Sequence, residues 1–144
     1  MGATSKGKRS YRLSSTMDSV AEVEAAAEKL AHEAGLDEDE CFHVTIAVRE
    51  AAINAALHGN KLDIHKEIKA SLENTGEALV FVIEDEGEGL DPNTLPDPLA
   101  PENLLRGSGR GIFLIRSFMD EVNFRQLHPG TELTLIKRLP PGAK

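Results

Sequence analysis

Apolar residues recur at helical spacing over the first quarter of the chain. Val20, Val23, Ala27, Leu30, Ala31 and Ala34 follow this spacing, while Glu22, Glu24, Glu28, Lys29 and Glu33 occupy positions between them. One stripe is therefore apolar and the opposite face charged, the signature of a helix packed on a core. Thr16 or Asp18 can cap it and Gly35 can end it. A second helix is predicted after Asp37, with Glu40 three residues on in a partial capping box, ending at Gly59. Its residues Val44, Val48, Ala51 and Ala52 lie off the Ile46–Leu57 side, so the element reads as buried all round.

Beyond Gly59 the period changes. Ile64, Ile68, Ala70 and Leu72 lead into the turn signal Asn74-Thr75-Gly76-Glu77, and the unbroken run Leu79-Val80-Phe81-Val82-Ile83 follows. This predicts a hairpin whose second strand is buried on both faces. Tyr11 to Leu13 can begin an edge strand. From Glu84 to Gly109 no period holds, and Pro92, Pro96, Pro98 and Pro101 interrupt the segment. A stretch of that length in a compact domain is usually functional. A third helix is expected around Arg110, carrying Ile112, Phe113, Ile115, Phe118 and Met119. A closing hairpin then runs from Val122 to Leu127, through His128-Pro129-Gly130, to Thr131–Leu139. Helices and strands in this order predict an α+β fold, an α/β sandwich on a mixed, largely antiparallel sheet.

The chain has 144 residues, enough for one domain that buries a core unaided. Sixteen Lys and Arg against 24 Asp and Glu leave a net charge of −8, which argues against direct binding to nucleic acid. No apolar run approaches the roughly 20 residues of a membrane helix, and Met1 to Arg9 lacks the apolar core of a secretory signal. Lys6 stands where a myristoylation site needs Ser or Thr. The lone Cys41 excludes an internal disulfide and points to a reducing compartment. No membrane partner and a cytoplasmic location are expected.

Chemistry concentrates in four short stretches. Glu50 and Asn54 share one stripe of the second helix with His43, Ile46 and Leu57. A carboxylate there is costly unless it is paired, liganded or facing a wet cleft. Two readings stand: a salt-bridged Glu with a structural Asn, or a general base with a metal-orienting amide of the kind that suits Mg²⁺. The second stretch, Asp85-Glu86-Gly87-Glu88-Gly89, leaves a strand. An aspartate there can accept a hydrogen bond from an exocyclic amine, and the glycines permit close approach of a flat ligand. An acidic turn is the plainer reading, and the spacing does not fit an EF-hand. Third, Gly107-Ser108-Gly109-Arg110-Gly111-Ile112 opens a helix and can turn backbone N–H groups toward an anion. It matches neither a Walker A nor a Rossmann pattern. The fourth, Gly130-Thr131, is compatible with simple strand propensity. His32, His43, His58, His65 and His128 show no zinc spacing.

In this order the four stretches resemble the ATPase superfamily of gyrase, sensor histidine kinases and mismatch-repair ATPases. Within it, the chain resembles the bacterial anti-sigma-factor serine/threonine kinases over about residues 10–139. The resemblance implies a two-layer, Bergerat-type sandwich with helices on one face. Residues 1–9 would be a flexible tail, and 10–144 a single kinase domain with a lid at about 90–108. Glu50 would be the base, and Asn54 would ligate Mg²⁺ bridging the triphosphate of ATP. Asp85 would bind the adenine amine with support from Thr131, and Gly87 and Gly89 would line the adenine pocket. Gly107, Gly109, Gly111 and Ile112 would offer backbone to the phosphates, with Arg106 and Arg110 as the nearby cations. The implied partners are an anti-sigma antagonist protein as phosphoacceptor, a sigma factor that is sequestered, and a second copy in a homodimer. The alternative is a nucleotide-responsive binding protein that transfers no phosphate.

Overall fold

The apolar stripes of three helices come together on one face of a single sheet in a computed structural model that describes residues 7–87 and 109–140. The elements are β1 (Gly7–Ser14), α1 (Met17–Glu33), α2 (Glu38–Ile53), β2 (Glu67–Asn74), β3 (Ala78–Glu84), α3 (Gly109–Phe118), β4 (Glu121–Gln126) and β5 (Thr131–Arg138). The strand order is β1-β2-β3-β5-β4, and all four pairings are antiparallel. The α+β sandwich is as expected. The described sheet contains no parallel pair, because each neighbouring strand arrives by a hairpin or from the opposite end.

The helix starts follow the sequence closely. Thr16 caps α1, its hydroxyl accepting the Ser19 N–H at 3.1 Å. Asp37 caps α2 by accepting the Glu40 N–H at 2.7 Å. The Glu40 side chain does not return to the cap; it reaches Lys137 Nζ at 3.7 Å and ties α2 to β5.

Past Ile53 the helix changes hand-hold rather than direction. Asn54–Gly59 is π-helical, with the Asn60 N–H donating five residues back to Ala55 O at 2.8 Å. Lys61 and Leu62 then take left-handed φ values of 54° and 58°, and the Leu62 N–H reaches Ala56 O at 2.7 Å. The wider turn takes Leu57 off the stripe assigned to it on uniform α-helical geometry, leaving it exposed.

The core lies between the layers. Val20, Val23, Val44 and Val48 of the helices meet Ile68, Leu72, Phe81, Ile83 and Leu135 of the sheet. The expectation that β3 is buried on both faces is corrected. Leu79, Phe81 and Ile83 are buried, while Val80 and Val82 are half-buried on the uncovered face beside Ile136 and Thr134. An unbroken apolar run survives there because cross-strand neighbours shield it in part. β1 also begins at Gly7, so residues 7–9, assigned to a tail by sequence, pair with 72–74. Residues 1–6 and the whole of the expected lid at 90–108 lie outside the described residues.

Candidate functional site

Asp85 is the first residue after β3. Its N–H donates to Thr131 O at 3.0 Å, joining the exit of β3 to the start of β5. One carboxylate oxygen, Oδ1, accepts the Gly87 N–H at 3.0 Å, which folds the Asp85–Gly87 turn back on itself. Burial pushes the Asp85 carboxyl above its ordinary range, while hydrogen bonds from the Gly87 and Thr131 backbone and the charge of Lys66 oppose that rise. Three glycines make the turn sterically possible. A methyl group on Gly59 would collide with the Asp85 carboxylate, one on Gly87 with Gly59 O, and one on Gly130 with Asp85 O. Gly130 also has φ +107°, a conformation that other residues adopt at a cost.

A second cluster forms where α2 meets α3. A methyl group on Gly111 would lie 2.8 Å from Glu50 Oε1, so the carboxylate rests on the first turn of α3. Farther along the same contact, His43 stacks on Phe118 with ring centroids 4.3 Å apart and planes 10° from parallel. The stripe on which the sequence placed His43 and Glu50 is thus the α3-facing side of α2. The positive end of α3 makes this a favourable place for negative charge.

Asn54 stands at the change from α- to π-helix, four residues after Glu50. Its Nδ2 is buried and has no hydrogen-bond partner among the described residues. A buried amide donor left unsatisfied is rare, and it calls for an acceptor from outside the described residues, such as a water or a phosphate oxygen. An amide oxygen is the hard donor that Mg²⁺ accepts, usually beside phosphate oxygens and waters. By donor type, the Asn54 side-chain oxygen therefore fits the ion. The Asn54–Gly59 segment links the two clusters, with Glu50 one turn before it and Gly59 against Asp85 at its end.

The remaining expectations divide by position. Thr131 is joined to Asp85 through its backbone. Ile112 is buried, and Gly109 and Arg110 open α3. Gly89, Arg106 and Gly107 lie outside the described residues. Sequence reasoning gave no role to Asn60, which is 1% exposed and hydrogen-bonded to Ser15, Glu67 and Glu86. As Gly59-Asn60 it read as an ordinary helix stop. Its one available signal was a polar residue placed directly after a helix that the pattern already marked as buried. Gly59 and Gly130 were likewise given no role of their own, whereas each makes room for Asp85.

The chain matches the family described as histidine kinase-like ATPase domain over residues 13–137. It is 34% identical over 106 residues to a protein named anti-sigma F factor from Anoxybacillus flavithermus, covering 70% of this chain and 71% of the relative. It is also 34% identical over 111 residues to serine-protein kinase RsbW from Staphylococcus epidermidis, covering 72% and 69%. Among solved structures it resembles the RsbU and RsbW domains of a Mycobacterium tuberculosis protein, with TM-score 0.67 and 18% identity. That match covers 94% of this chain and 34% of the other. The histidine kinase domain of a blue-light-activated kinase from Erythrobacter litoralis gives TM-score 0.53 and 19% identity, covering 83% of this chain and 60% of that one. These two structural likenesses bear on the fold alone.

Proposed function

Because the chain belongs to the histidine kinase-like ATPase family, we propose that it is an ATP-dependent serine/threonine protein kinase acting as an anti-sigma factor. It phosphorylates an anti-sigma antagonist and sequesters a sigma factor in a partner-switching pathway. The observation that carries this reading is the 34% identity to serine-protein kinase RsbW across 72% of the chain. The geometry gives it chemical content. Glu50 takes the proton of the acceptor hydroxyl as that oxygen bonds to the γ-phosphorus of ATP, and the bond to the leaving ADP oxygen breaks. Asp85 accepts a hydrogen bond from the adenine amine, and Gly59 and Gly87 allow the close-packed turn that holds the carboxylate. The first turn of α3, with Gly109, Gly111 and Ile112, offers backbone N–H groups to phosphate. Asn54 would hold Mg²⁺, which when bound offsets the negative charge of the triphosphate. Gly89, Gly107, Arg106 and Arg110 are assigned to the same nucleotide on the resemblance alone. A homodimer rests on that same footing, and a cytoplasmic setting on the lone Cys41; among the described residues, no helix is long and apolar enough to cross a membrane.

Incubation with labelled ATP, Mg²⁺ and candidate antagonist proteins tests the reading. A general base contributes about 10²–10⁴-fold, so Glu50→Ala lowers phosphotransfer by that factor while ATP affinity is kept. An unchanged rate removes Glu50 from the mechanism. A wild-type protein that binds ATP and antagonist without labelling any antagonist is instead a nucleotide-responsive binder.

A further inference from the structure

Asn60 connects three segments that meet behind Asp85. Its Nδ2 donates to Ser15 Oγ at 2.7 Å and to Glu67 O at 3.1 Å, and its Oδ1 accepts the Glu86 N–H at 2.7 Å. Ser15 Oγ passes the link on by donating to Lys66 O at 2.7 Å. Glu86 is held a second time, since its Oε2 accepts the Glu67 N–H at 2.5 Å. The network thus joins the link between β1 and α1, the start of β2, the end of the π-helical segment and the Asp85–Gly87 turn. Both amide donors and the amide oxygen are satisfied at a site that water does not reach.

We infer that Asn60 is a positioning residue that makes Asp85 selective for adenine, an inference that rests on the ATP reading of this site. Gly59, its neighbour, lies flat against the Asp85 carboxylate, and Glu86, its hydrogen-bond partner, follows Asp85 in the chain. The carboxylate therefore sits between two backbone points whose separation the Asn60 amide fixes. Buried networks of this kind have no solvent to replace a lost partner, so breaking one moves the groups it holds. Glu50 and the first turn of α3 meet through α2, upstream of the π-helical segment, and their contact does not run through Asn60. Loss of the brace consequently affects recognition of the base and spares recognition of phosphate. Guanine presents a carbonyl where adenine presents its amine, so a well-placed Asp85 carboxylate rejects it.

Calorimetric titration of ATP and of GTP into the full chain tests this, using wild type, Asp85→Asn, Asn60→Asp and Ser15→Ala. Asn60→Asp keeps the shape and the acceptor for Glu86 N–H but replaces both donors. It is expected to weaken ATP binding at least about tenfold while GTP affinity stays within about twofold, so the preference for ATP collapses. Ser15→Ala, which removes one link, shifts the same ratio by about threefold. Equal weakening of both nucleotides in Asn60→Asp, or an unchanged ratio, overturns the inference. If Asn60→Asp does not fold, Ser15→Ala decides: an unaltered ATP-to-GTP ratio overturns it. Wild type that binds no ATP defeats the proposed function and this inference with it. Wild type that binds ATP, with Asp85→Asn weakened and both brace variants unaffected, defeats the inference alone.

Discussion

Only 9% of Asp85 is exposed, and burial raises its carboxyl above the ordinary 3.8 despite hydrogen bonds and Lys66 acting the other way. The native state then holds this proton to higher pH than the unfolded chain does. Stability linked to the group is fully present below about 3.8 and is lost as pH rises through the raised native value. Ionising this carboxylate in the fold therefore carries a net desolvation cost, which is tolerable if the residue is kept to meet a ligand donor. Asp85→Asn removes the charge with little change in shape. The nucleotide-free variant is expected to melt above wild type at pH 7, with the difference vanishing below the ordinary carboxylate range. Its ATP affinity should fall roughly 10–100-fold, the value of a hydrogen bond to a charged acceptor. Thermal scans against pH and calorimetry read the two effects. A variant no more stable than wild type at pH 7 would contradict the burial cost, and undiminished ATP binding would contradict the adenine role.

At the scale of elements, the contact of α2 with α3 separates stability from activity. Gly111 lies in the first turn of α3, where alanine is preferred to glycine by about 0.5–1 kcal/mol. The added methyl meets only the mobile end of Glu50 at 2.8 Å, so the helix accepts it and the carboxylate turns aside. Gly111→Ala should therefore melt no lower than wild type and lose at least about tenfold in phosphotransfer, part of what a misplaced base forfeits. Retained activity would show that Glu50 need not rest where it does. This contact also marks the limit of reading from sequence. Periodicity and caps located α1, the start of α2 and both hairpins to within a few residues, because Thr16, Asp37 and Asn74-Thr75-Gly76 act locally. The stripe joining His43 and Glu50 was legible for the same reason. The π-helical turn was not, since nothing in Asn54-Ala55-Ala56-Leu57-His58-Gly59 distinguishes five-residue from four-residue bonding. Nor was the brace at Asn60, whose partners Ser15 and Glu86 lie 45 and 26 residues away.

Across the whole molecule, the proposed nucleotide would bridge two clusters that stand at opposite ends of one short segment. Glu50 and α3 stand at one end of the Asn54–Gly59 segment and Asp85 with β3 and β5 at the other. A ligand that touches both ends binds the folded chain and not the unfolded one, so it raises stability by mass action. At a concentration of 100 times Kd this amounts to about 2.7 kcal/mol. For a domain near 150 residues each kcal/mol moves Tm by roughly 2–4 °C, so ATP with Mg²⁺ should raise Tm by about 5–11 °C. Chelation should reduce the rise if Asn54 and the triphosphate share the ion. The variants divide the effect by location. Glu50→Ala should keep the rise, because the base is needed for transfer rather than for holding the nucleotide. Asp85→Asn should start from a higher Tm and gain little at the same ATP concentration. An ATP-induced rise of wild-type size in Asp85→Asn would mean that the nucleotide is gripped without the β3 exit, and that the two clusters serve different ligands.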